Sequence, residues 1–261
     1  MSLRPLYLVS AYLVSAASLA AGSAPSAEPE PIRLVAQPAL GTDLAAFPRI
    51  AAPVDPVSQQ INQALANTDV RVRDAAKQCH ADASAFQADM KDAGWQRTVT
   101  VAMRGAGYLA LVASDNWYCG GAHPDTGQFA LAYDLRNGAA LNWERLLPKS
   151  LAGTASLDTA GDGTRLGVVA SPTLKALYLK LMKPDADCGQ ALRETELQFM
   201  LWPDAAREGV AMEPSGLPHV IAACGGDAVI PVGTLRTLGV APALVEAIAA
   251  GHKAGLFGPT P

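Results

Sequence analysis

Apolar side chains return every three or four positions across residues 55–90, at Val57, Ile61 and Leu65 and again at Cys79, Phe86 and Met90. That spacing lays one face of a helix against a core. A polar interruption at residues 67–70 (NTDV) splits the stretch, so the pattern predicts two helices, the second ending near Gly94. The period then falls to two. RTVTVAMRG from Arg97 alternates as a strand, and YLALVASDNWY from Tyr108 pairs with it antiparallel across Gly105 and Gly107. QFALAYDL from Gln128 makes a third strand, and RNGAALNW carries an Asn137-Gly138 signal, two residues that tolerate the positive φ of a tight turn.

The second half is less regular. Residues 151–167 read as a polar, glycine-rich connection, followed by a helix over SPTLKALYLKLM with Pro172 at its tolerated first-turn position. ELQFMLW, EGVAME, HVIAAC and DAVIPV read as short strands, and APALVEAIAAGH as a closing helix. Helices and antiparallel strands segregated in this way predict an α+β fold, an antiparallel meander sheet packed against helices, in two halves. No repeat and no linker separates the halves, so residues 46–261 are expected to form a single α+β domain.

The N-terminal segment changes the setting. Arg4 is the one charged residue before the apolar run LYLVSAYLVSAASLAAG, and small residues come after it, so residues 1–24 read as a secretory signal cleaved after Gly22 or Ala24. The run is shorter than the roughly 20 apolar residues of a membrane span and lacks a basic flank, so no membrane span is expected after cleavage. Seven prolines between residues 25 and 56 predict an extended leader, bounded at 25–45. Of the 20 Lys+Arg and 24 Asp+Glu, Arg4 alone falls in the signal, leaving a net charge of −5 and no basic patch for nucleic acid. The chain is 50% apolar, enough for a large buried core.

Export also fixes the cysteine chemistry. Cys79, Cys119, Cys188 and Cys224 are an even set in an oxidising compartment and predict two disulfides. Three pairings are possible; Cys79 with Cys119 and Cys188 with Cys224 keeps each bridge within one half. There is no CxxC or CxxH, so no metal site is assigned. DTAGDG at residues 158–163 fails as a calcium loop, because Ala160 stands at the third position and Val169 at the twelfth.

The most chemically dense stretch is NWYCGGAHPDTG, residues 116–127. Gly120 and Gly121 open backbone angles closed to other residues, and Pro124 stiffens the chain beyond His123. His123 with Asp125 could act as base and orienter, and a Cys79–Cys119 bond would draw His80 near. Trp117 and Tyr118 can anchor a partner or stack on a sugar, or pack as core at a strand end. There is no GxSxG elbow, the cysteines are expected to be bonded, and the GDG fragment lacks the context of a phosphate loop, so neither a nucleophile nor a cofactor is assigned. Glu194 and Glu196 read as a solvated strand face.

FPRI, then QQINQALA, then YCGGAHPDTGQFALAYDLRNGAALNWERLLP, then GVAMEPSGLPHVIAACGGDAVIPVGTLRTLG, over roughly residues 46–240, resemble a bacterial family of exported domains of unknown function. Such domains are found beside peptidoglycan deacetylases and in the ectodomains of lysozyme-sensing anti-sigma factors. The resemblance implies an α+β fold outside the cytoplasm and, for some members, recognition of a wall-cleaving enzyme; it supplies no catalytic residues. The chain is accordingly read as a non-catalytic periplasmic or secreted domain. It would bind a lysozyme-like protein or peptidoglycan through Trp117, Tyr118, Gly120, Gly121, His123 and Asp125. The competing reading is an exported cell-wall hydrolase with His123 as general base.

Overall fold

The computed structural model describes residues 31–52, 54–86 and 94–259. The signal segment 1–24 and the start of the leader, residues 25–30, lie outside the described residues, as does the predicted helix end at residues 87–93.

Residues 56–86 form one helix, α1 (Pro56–Phe86), where the sequence pattern predicts two. The polar interruption does not break it because each polar group there finds a partner. Thr68 Oγ1 donates back to the Ala64 carbonyl (3.1 Å), Asn67 accepts from Gln63 (2.9 Å), and Asp69 takes the Phe47 N–H (3.0 Å) and the Arg49 guanidinium (2.5 Å). NTDV therefore grips the segment around Phe47 and Arg49, and there β2 (Arg49–Ile50) pairs with β1 (Leu34–Val35) of the leader.

Two antiparallel sheets come next, each a meander. The first runs β3 (Gly94–Gly105), β4 (Tyr108–Tyr118) and β5 (Asp125–Asp134). Six successive residues, 108–113, are buried in β4 because both of its faces are covered. Asn137-Gly138 forms its turn with Gly138 at φ 72°, but the return is a single bridge, Tyr133 to Ala140, before helix α2 (Trp143–Leu146) begins.

Residues 151–167, expected as a connection, instead complete helix α3 (Lys149–Ala152) and build a hairpin, β6 (Thr154–Thr159) and β7 (Arg165–Ala170). Five of the six β6 residues are exposed, so this sheet edge has no alternating apolar pattern to announce it. DTAGDG is its turn. Helices α4 (Pro172–Met182) and α5 (Ala186–Glu194) lead to β8 (Gln198–Asp204), β9 (Gly209–Ser215) and β10 (Ala228–Pro231), which complete the second sheet in the order β10-β9-β8-β7-β6. HVIAAC is not a strand but a 3-10 helix, His219–Cys224, with no buried residue. Helix α6 (Val232–Leu238) and helix α7 (Pro242–Lys253) come last, and β11 (Gly258–Pro259) adds to the outer edge of β3.

Helix α1 covers one face of the first sheet, and β8 of the second sheet packs against β3, β4 and β5. One hydrophobic cluster runs from Leu34 through Trp202 to Ile248 across both sheets. The fold is α+β, with antiparallel sheets, packed helices and two disulfides. Cys79–Cys119 (Cα–Cα 4.4 Å) ties α1 to the end of β4, and Cys188–Cys224 (5.2 Å) ties α5 to the end of the 3-10 helix.

Candidate functional site

Strand β3 points alternate residues Trp95 and Arg97 at α1, and the β4 register sets Trp117 opposite Trp95 and Asp115 opposite Arg97. Trp117 is therefore drawn into packing. Its ring stacks on Trp95 (centroids 4.8 Å apart, planes 16° apart). A Cβ on Gly127 would come within 3.1 Å of it and one on Gly161 within 3.2 Å, so glycine at both positions lets the ring lie against backbone. A small cluster of Leu44, Val72, Cys79 and Trp95 closes around the first disulfide.

The next six residues leave the core. Gly120 (φ 91°) and Gly121 (φ 104°) turn the chain in the region that favours glycine, and the Tyr118 hydroxyl donates to the Gly121 carbonyl at 3.0 Å, closing the turn. His123 is exposed. Its Nδ1 lies 2.9 Å from the Pro124 carbonyl, an acceptor only, so Nδ1 carries the proton. Asp125 Oδ1 accepts the Thr126 N–H at 2.9 Å. His123 and Asp125 thus each satisfy the local backbone instead of forming a base and orienter pair. The imidazole beside His123 is not that of His80, which is exposed on α1, but that of His219, stacked at 4.3 Å with planes 1° apart.

This stack joins the two halves. His123 belongs to the loop anchored by Cys79–Cys119, and His219 opens the 3-10 helix anchored by Cys188–Cys224. Next to His219, Val220 is 90% exposed, and Ala222 and Ala223 are exposed as well. The combined surface is two stapled loops, side by side, presenting imidazole and apolar groups. Sequence reasoning misses its second loop because a short apolar run reads as a strand; Pro218 before it and Cys224 at its end are the available signals.

A buried ion triad that sequence reasoning also misses joins β3, β4 and the β6–β7 turn. Arg97 donates from Nε to Asp115 Oδ1 (2.6 Å) and from Nη2 to Asp115 Oδ2 (2.6 Å) and Asp162 Oδ2 (2.8 Å). Its guanidinium stands 5.0 Å from the Phe129 ring centroid and 5.7 Å from that of Phe47. Burial opposes the Arg97 charge, but the bonds and charges of both aspartates outweigh it and hold the group above its usual range. On the first sheet Ser114 Oγ donates to its cross-strand neighbour Gln128 Oε1 (3.1 Å), and Gln128 Nε2 reaches the second sheet to donate to Glu213 Oε2 (2.7 Å). Burial pushes the Glu213 carboxyl up to about 7; the Gln128 bond and Arg207 pull it down, and Asp227 pushes it further up. Among the described residues no three His, Cys, Asp or Glu side chains converge as metal ligands.

Neither a family model nor a curated protein matches the sequence. Among solved structures, the chain is similar to a DUF3298 family protein from Pseudomonas aeruginosa PAO1, at 17% identity over 76% of this chain and 84% of that one, TM-score 0.41. It is also similar to a DUF3298 family member from Bacteroides fragilis NCTC 9343, at 14% identity over 76% and 75%, TM-score 0.40. Both belong to a domain family of unknown function; at this similarity neither assigns a family or a role to this chain.

Proposed function

We propose that the protein is an exported, non-catalytic binding domain, periplasmic or secreted, whose contact surface is the paired loop face of residues 117–125 and 219–224. One observation carries this reading: two loops from different halves, each pinned by its own disulfide, meet in the His123–His219 stack. Loops held in place before contact lose little freedom on binding, which is the main route to affinity at small surfaces. Val220, next to His219 and 90% exposed, then supplies an apolar anchor. Within the face, Trp117 and the two glycines shape the loop, while His123, His219 and Val220 make the contact. Catalysis by His123 has less support, because the Pro124 carbonyl takes its Nδ1 and no carboxylate of a described residue orients its ring.

The first partners to test are a lysozyme-like enzyme and soluble peptidoglycan fragments. An acidic chain, of net charge −4 and of −5 once residues 1–24 are cleaved, favours encounter with a basic protein, and two disulfides fit an oxidising compartment where both occur. Calorimetry should detect binding by the wild-type chain and a loss of about tenfold or more in Val220→Glu or His219→Ala, the range of a hot-spot truncation. No heat with any lysozyme or wall fragment removes the reading. Peptidoglycan turnover abolished by His123→Ala would replace it with the hydrolase.

A further inference from the structure

A cleft of about 400 Å³ opens on the flank of the molecule between α1, the edge of β5 and the start of β7. β7 pairs with β8 only at Val168 and Val169, so Arg165 to Gly167 are paired with β6 alone and their β8 side is open. The size falls within the range of small-molecule sites. Two of its lining side chains are charged, Arg71 and Arg165, and both are guanidinium groups, in a chain whose acids outnumber its bases.

Arg71 is the informative residue. Arg49, Arg97, Arg136, Arg207 and Arg236 each pair with a carboxylate. Arg71, half-buried in the cleft, is held by hydroxyls alone: Nη2 donates to Thr68 Oγ1 at 2.8 Å and Nε reaches Thr164 Oγ1 at 3.4 Å. Among the described residues no carboxylate lies within ion-pair distance of it. Across the cleft Tyr133 is 7% exposed, and its hydroxyl makes no hydrogen bond to a described residue. Burial pushes this phenol up to about 12, against the pull of Arg71 and Arg49, so it remains a neutral O–H donor. A fixed guanidinium, a second one at the rim and an unused hydroxyl line one cleft to which no described residue contributes a carboxylate.

We infer that this cleft is a second binding site, for a small organic oxyanion, a carboxylate or a phosphate ester, gripped by Arg71 and Tyr133 with Arg165 at the mouth. The site is independent of the loop face, since none of its lining residues belongs to that face. Ala64, Ala130 and Leu141 give the body of the ligand an apolar wall, and the amide of Asn67 stands at the rim.

The test uses one sugar body with three substituents: N-acetylmuramic acid for the carboxylate, N-acetylglucosamine 6-phosphate for the phosphate, and neutral N-acetylglucosamine. Titrated into the full chain and followed by amide NMR shifts, at least one of the two acids should bind about tenfold or more tightly than the neutral sugar, as a charge-assisted fork requires. The acid that binds names the source chemistry. Arg71→Gln should abolish the preference, Arg71→Lys should restore it in part for phosphate, and Tyr133→Phe should weaken it; Arg236→Gln, outside both the cleft lining and the loop face, should leave it unchanged. Should Arg71→Gln lose its fold, Arg165→Gln at the exposed rim takes its place, with a smaller loss of the same preference. Equal binding of acid and neutral sugar, no binding of any probe up to about 20 mM, or an unchanged preference in folded Arg71→Gln each overturns the inference.

Discussion

Arg97→Met is expected to lower the stability of the fold by about 3–5 kcal/mol, the cost of removing one partner from a buried ion pair. The reason is the company that Arg97 leaves behind. Asp115 and Asp162 are both buried, and with the guanidinium gone two carboxylates face each other without a counterion. The triad already carries one excess negative charge, and Arg97 Nη1 has no acceptor among the described residues, so its balance is narrow. Its position magnifies the effect. The Arg97 side chain links β4 to the β6–β7 turn, and its backbone N–H and carbonyl bond Asp43 (2.9 Å) and Ala45 (3.1 Å) of the leader. Urea unfolding should show a large fall in midpoint with little change in slope. A triple variant, Arg97→Met with Asp115→Leu and Asp162→Asn, should recover most of it, because the amide oxygen introduced at position 162 still accepts the Thr164 N–H that Asp162 holds at 2.8 Å. If Arg97→Met alone unfolds at the wild-type midpoint, the triad does not hold the two sheets together.

The triad also marks where reading the sequence stops. The helices and strands with clean periods, β3, α4 and α7, are set by burial of one face, which a period reports directly. Features decided by polar partners leave no period. The NTDV stretch looks like a helix break until Asp69 is seen to hold Phe47 and Arg49. DTAGDG looks like a failed calcium loop, and its one buried acid, Asp162, serves a guanidinium 65 residues away in sequence. An edge strand such as β6 hides for the opposite reason, since it buries too little to alternate. The candidate face divides in the same way. Gly120, Gly121 and the local disulfide pairing can be read from residue types and spacing, because turn geometry and chain connectivity are local constraints. The stack with His219 cannot, because it depends on how the two halves dock. Trp117 and Tyr118 illustrate the limit from within the motif: the same aromatic pair at a strand end yields one ring packed on Trp95 and one hydroxyl closing a turn.

Glu213→Gln is expected to stabilise the protein at neutral and alkaline pH and to remove a pH dependence that the wild-type chain carries. The sign comes from the direction of the shift. Burial raises the folded carboxyl from 4.5 to about 7, so between those values the folded chain holds a proton that the unfolded chain releases. The stabilising contribution is complete below pH 4.5 and is lost as pH rises through about 7. At 1.36 kcal/mol per unit, the loss is on the order of 3 kcal/mol by about pH 8. Asp134, held down by its bonds to Arg136, works in the opposite sense and weakens the fold only as pH falls below the ordinary carboxylate range. The difference between wild-type and Glu213→Gln urea midpoints, followed from pH 4.5 to about pH 8, isolates the Glu213 contribution. Parallel curves would mean that the carboxyl is solvated in the folded chain and that the Gln128 bond at 2.7 Å carries no burial cost. A growing gap instead places a proton between the sheets, on the strand that runs through Ser215 toward His219.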